Sequence, residues 1–125
     1  MTAIADSVFD SGLSTIVSNG TSLHILDADV GLTWSSIAAA ELAEETVTCT
    51  GPGNADNTNG RSVKIPAINN GTIVTGGTAG YWALSNGTDT IYASGQLTTP
   101  QVVTATNSFT LPEIEIAIRD ATVAA

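Results

Sequence analysis

His24 is the single histidine and Cys49 the single cysteine of this 125-residue chain, so any nucleophilic or acid–base chemistry of the usual kind has to run through them or through paired carboxylates. A general base needs a partner that orients it. The sequence around His24, "SLHIL", supplies none and reads as a strand histidine satisfied locally. Cys49 could pair with His24 as a nucleophile. It sits in "TVTCT", whose alternation reads as a plain strand, where a thiol behaves as a small hydrophobe. Asp27 with Asp29, or Glu113 with Glu115, could form an acid/base pair of the glycosidase kind. The first pair reads as a turn and the second as the wet face of a strand. "NADNTNGR" is rich in oxygen ligands, but Asp56 is its one acid and no Glu stands at the twelfth position of a calcium loop. The preceding "GPG" does not make it a phosphate loop, because the Gly-Lys-Ser/Thr ending is missing. No enzyme, metal or cofactor is expected.

Composition narrows the partners. The net charge is −9, and Arg61, Lys64 and Arg119 are the three cations. Nucleic acid requires a basic patch that releases counterions, so DNA and RNA are excluded, and anionic membrane surfaces with them. Charged residues are 12% of the chain, about half the usual share, and Thr, Ser, Asn and Gly take their place. One cysteine allows no intrachain disulfide. "MTAIADSVFDSG" has no basic n-region and no long apolar run, so synthesis in the cytosol without a signal peptide is expected. The Asn19, Asn70 and Asn86 sequons then read as turns rather than glycosylation sites. Trp34, Tyr81, Trp82 and Tyr92 could stack on sugars, but such residues more often fill a core or an interface.

The elements that must position these groups follow from periodicity. Ile4, Val8, Phe9, Leu13, Ile16 and Val17 fall near one helical face, which predicts a helix over Ala3–Ser18 ended by Asn19-Gly20. Ser22–Asp27 reads as a strand. "TWSSIAAAELAEE" has helical propensity but equally suits an irregular excursion with one or two helical turns. From Thr46 the chain reads as β: "TVTCT", a loop over "GPGNADNTNG", an edge or bulged strand "RSVKIPAI" holding Pro66, a turn at "NNG", and a hairpin, "YWALSNGTDTIYASG". Trp82, Leu84, Ile91 and Ala93 are expected to line the core with Ile114, Ile116 and Ile118. Phe109 and Leu111 lie on the other parity, so a bulge or kink is expected at Pro112. Strands every 8–12 residues predict one mainly β domain over 1–125. It is an antiparallel β-sandwich or jelly-roll-like barrel, with an N-terminal helical segment (1–20) and an antiparallel meander (46–125).

"DSVFDSGLSTI", "NGRSVKIPAI" and "GTAGYWALSNGTDTIYASGQLTTPQVVTATNSFTLPEIEIAIRD" together resemble a family of small structural proteins of tailed bacteriophages. The shared theme is a Trp-Ala-Leu strand, a small-residue hairpin, an "A-x-G-x-L" step and a final "F-T-L…I-x-I" strand. The resemblance implies a virion protein made in the host cytoplasm. A capsid decoration (cement) protein is expected first, bound to the major capsid protein and to copies of itself, with a trimer preferred. A tail, neck or fibre-associated protein and a carbohydrate-binding host-attachment module are the alternatives. Ile4, Val8 and Phe9 are the expected protein interface. Packing of the same residues on the protein's own sheet is the competing expectation.

Overall fold

Helix α1 (Asp6–Asn19) forms where the apolar spacing places it, and it stops at Gly20, whose N–H bonds the Ile16 carbonyl at 2.7 Å. The computed structural model describes residues 5–55 and 60–118. Phe9 and Leu13 are the buried residues of α1, which packs on β3 (Thr50–Asn54) and β4 (Arg61–Ile65). Arg61 clamps the helix to β4. Its Nε and Nη2 donate to the two oxygens of Asp10 at 2.8 and 3.2 Å, and its Nη1 donates to Asn54 Oδ1 at 2.8 Å. This bidentate fork, with Asp6 nearby, holds the guanidinium pKa above its ordinary value.

The remaining elements are β1 (Ser22–Leu26), a 3-10 turn (Trp34–Ser36), a one-turn helix α2 (Ile37–Ala40), β2 (Glu41–Thr46), β5 (Ile68–Thr72), β6 (Gly77–Ser85), β7 (Ile91–Val103), β8 (Ser108–Leu111) and β9 (Ile114–Ile118). The fold is mainly β, with antiparallel sheets in a sandwich-like arrangement. A four-stranded sheet runs β2-β1-β6-β7, a three-stranded sheet runs β3-β4-β9, and β5 pairs with β8. The expected meander is corrected here. Sequence neighbours pair at β1–β2, β3–β4 and β6–β7, but β1–β6, β4–β9 and β5–β8 join distant strands.

The four-stranded sheet is covered on both faces. Leu23, Ile25, Trp82 and Leu84 point into the main core with Ile65, Phe109 and others. Leu26 and Ala83 point the other way, to a second cluster closed by Val30, Ile37 and Ala40. The 31–45 region thus covers one sheet face with the part that ends at Ala40. Its Ala-Glu run is strand, not helix, from Glu41 onward, because the ladder with β1 outweighs helical propensity.

Several expectations shift by a strand or a face. Ile91 is buried, but in the second cluster rather than beside Trp82, because the β6–β7 register slips between Leu84 and Ser85. One extra residue reverses a side chain's face. Ala93, Ile114 and Ile116 pack on the main core as expected, while Ile118 is exposed. At Pro112 the strand ends outright, and the chain passes from the β5–β8 pair to the sheet of β4. Pro66 follows β4, which is the central strand of its sheet and not an edge. Residues 51–54, expected as loop, are part of β3. Asn70-Gly71 lies inside β5 rather than in a turn, and Gly71 is there because the Phe109 ring occupies the space of a Cβ. Asn86-Gly87 does turn the hairpin. Gly87 has φ +78°, and Asn86 Oδ1 accepts the N–H groups of Thr88, Asp89 and Thr90.

Candidate functional site

His24 lies on β1 opposite Ala83 and faces the second cluster, with 1% of its surface exposed. Its partners come from two other strands. Nδ1 is 2.7 Å from Glu41 Oε2, at the start of β2, and Nε2 is 2.7 Å from Ser85 Oγ, at the end of β6. Glu44 Oε2 is 3.8 Å from Nε2, and the Trp34 ring stands edge-on at 5.9 Å between centroids. A carboxylate accepts only, so Nδ1–H donates to Glu41, and in the neutral ring Nε2 accepts the Ser85 hydroxyl proton. Ser85 Oγ also accepts the Gly87 N–H at 2.9 Å, which ties the hairpin turn to the same node.

Serine, histidine and carboxylate are connected as in an acyl-transfer triad. A nucleophile also needs an approach path, and Ser85 is fully buried with its oxygen occupied by a backbone amide. The network joins the three strands β2, β1 and β6 across the covered face of their sheet. The two polar partners of His24 were not legible in the sequence. The parity of β6 does put Ser85 opposite to Leu84, but the β1–β6 pairing spans 61 residues.

The other candidates do not converge. Cys49 is buried in the main core, with its thiol donating to the Gly20 carbonyl at 3.4 Å and not to His24. Burial pushes its pKa up, so little thiolate is present at neutral pH. A disulfide reagent is therefore expected to label the native chain about a hundredfold more slowly than the urea-unfolded chain, in a timed thiol assay. Equal rates would place the thiol at the surface. Asp27 and Asp29 stand in an exposed turn, where Asp29 Oδ1 accepts the Gly31 N–H. Glu115 accepts from Ser62 Oγ at 3.1 Å, and the Lys64 ammonium is 3.7 Å from Glu113. Among the described residues no group of three or more metal-ligating side chains occurs. Residues 56–59 of the oxygen-rich loop lie outside the described residues.

Of the expected interface, Ile4 lies outside the described residues, Phe9 is 6% exposed and Val8 is 60% exposed. Among the aromatics, Trp82 is buried in the main core, and Trp34 and Tyr81 pack on the second cluster.

A groove of about 430 Å³ opens beside Trp82. Ile73, Trp82, Phe109 and Leu111 form its apolar floor, and Leu97 and Ile114 form its walls. It exists because β7 bulges. Ala79 pairs with Gln101 and Tyr81 with Gln96, so Leu97–Pro100 stand opposite Gly80 alone. Val102, between the groove-lining Gln101 and Val103 of β7, is 84% exposed. No protein-family model, no curated protein and no solved structure matches the chain. No helix among the described residues is long and apolar enough to cross a membrane.

Proposed function

We propose that the chain is a structural protein of a tailed-bacteriophage virion, acting as a capsid decoration (cement) protein. The observation that carries this is the division of its surface. The histidine and the thiol are used inside the fold, while the outside presents hydroxyls, amides and a half-open apolar groove. Such a surface suits attachment and leaves catalysis without a reactive group in reach. The sequence motifs that resemble phage structural proteins supply the setting.

The action is linkage. A protein that binds the assembled shell and not its free subunits stabilises the shell by mass action. Its partners are the major capsid protein and further copies of itself, a trimer in the first instance. The net charge of −9 favours a partner face that is basic. Cryo-EM of the intact particle tests this. Regular density for the chain over the capsid lattice, at hundreds of copies, is the expected result. Density restricted to the tail, neck or a vertex overturns the cement role and favours tail assembly or host attachment.

A further inference from the structure

Residues 27–40 leave the four-stranded sheet and return to it at one point. They join β1 to β2, which are neighbours in the ladder, with Leu26 opposite Glu41. The Asp27 N–H donates to the Ala40 carbonyl at 3.0 Å and closes the neck. A surface loop whose ends meet and whose side chains pack together is an Ω-loop.

The contacts inside this loop differ from those that hold it down. Its hydrogen bonds are local. The Thr33 N–H donates to the Val30 carbonyl, Ser36 to Thr33, Ile37 to Trp34, and Gly31 to Asp29 Oδ1. Among the described residues, no hydrogen bond joins 28–39 to β1, β6 or β7. The attachment to the sheet is apolar. Val30 and Ile37 are buried in the cluster of Leu26, Ala83 and Ile91, and Trp34 packs half-buried against it. Residues 31–33, 35, 36, 38 and 39 are exposed. The strand beneath is held differently, because β1 is bonded along its length to β2 on one side and β6 on the other. Few buried anchors and no ladder place the loop at the low end of local stability, and two-sided pairing places β1 at the high end.

What lies under the loop gives the difference a consequence. His24 is 1% exposed, and Trp34 stands edge-on to its ring at 5.9 Å. We infer that residues 28–39 form a hinged lid, which opens about the Asp27–Ala40 neck as one unit and admits water to the network of His24, Ser85 and Glu41 while the β1–β6 ladder stays closed. With the lid shut, His24 and Ser85 satisfy each other in a dry site. With it open, water competes for both. The lid belongs to the fold and does not depend on what the chain attaches to.

Native-state hydrogen exchange of the full chain, followed by NMR in low concentrations of urea, tests this. The amides of Thr33, Ser36 and Ile37 are expected to share one opening equilibrium, about a hundredfold or more in favour of the open form relative to the opening that exposes the β1 amides. Its urea dependence is expected to be weak, because a lid exposes little surface. His24, the single histidine, is the second reporter. Its modification by diethyl pyrocarbonate, read by mass spectrometry, is expected to run about a hundredfold faster than global unfolding permits. Trp34→Ala removes an anchor and is expected to raise both rates about tenfold while the β6 amides keep theirs. The wild-type rates decide alone should that variant not fold. Loop amides that exchange only together with β1 and β6 would make the loop part of the sheet's cooperative unit and overturn the lid. Unequal equilibria at Thr33, Ser36 and Ile37 would overturn the single moving body. A His24 modified only on global unfolding would overturn the link to the network.

Discussion

Replacing His24 with alanine is expected to lower the unfolding free energy by about 3–5 kcal/mol, read from urea unfolding followed by fluorescence. Three losses combine. The ring leaves a cavity beneath Trp34, in a site where the native imidazole is 1% exposed. The Ser85 hydroxyl, fully buried, loses the acceptor it holds at 2.7 Å. Glu41 loses its donor, but its side chain is 32% exposed and water replaces much of that bond. Ser85→Ala is the complementary cut. It leaves both Nε2 and the Gly87 N–H without a partner, so about 1–3 kcal/mol is expected. Glu41→Gln keeps an acceptor oxygen and should cost within about 1 kcal/mol. In a double-mutant cycle, His24 and Ser85 are expected to couple by about 1–2 kcal/mol. A loss below about 1 kcal/mol for His24→Ala would mean that water enters the site freely. That result would return the serine to consideration as a nucleophile. Ester hydrolysis that vanishes in Ser85→Ala while stability is unchanged would identify a catalytic relay instead of a structural one.

The parts of the fold that were legible are those set by local pattern. Helix α1, β1 and the Asn86-Gly87 hairpin follow from apolar spacing and turn chemistry, and these are decided within a few residues. The misread parts are those decided by distant partners. The Ala-Glu run up to Glu45 reads equally as helix or as an irregular excursion, yet β1 offers Glu41–Thr46 a ladder. Asn70-Gly71 reads as a turn, yet it lies within β5 at an irregularity of the β5–β8 register, with Phe109 over Gly71. Ile91 has the expected burial on the unexpected face, since periodicity cannot locate a register slip. The same limit hid the polar node. Nothing near His24 in the chain announces Glu41, 17 residues away, or Ser85, 61 residues away. The groove was hidden for a different reason. Its wall is a bulge of uncharged residues, "LTTP", whose sequence reads as an ordinary broken strand.

Phe9→Ala is expected to cost about 3–5 kcal/mol, whereas Val8→Ser should change stability by no more than about 0.5 kcal/mol. The two neighbours lie about 100° apart around α1, one toward the sheet and one toward solvent. Phe9 is 6% exposed and packs with the helix on β3 and β4, while Val8 is 60% exposed. The cost at Phe9 can appear in either of two ways. If α1 unfolds with the sheets, the whole transition shifts to lower urea. If α1 detaches alone, amide exchange speeds up over Asp6–Asn19 and at Arg61, whose fork to Asp10 is lost with it. Either outcome places Phe9 in the protein's own packing. An unchanged Phe9→Ala protein with impaired attachment would instead make the helix the contact. With Phe9 in the protein's own packing, Val8 is what the described residues leave of the expected interface, and one exposed apolar side chain is ordinary for any surface. Attachment strong enough to brace a shell requires a larger desolvated patch with an anchor at its centre. The groove on Trp82 and Phe109 has that form and α1 does not. Val8→Ser is therefore expected to leave attachment of the chain to the particle unchanged, read by co-sedimentation.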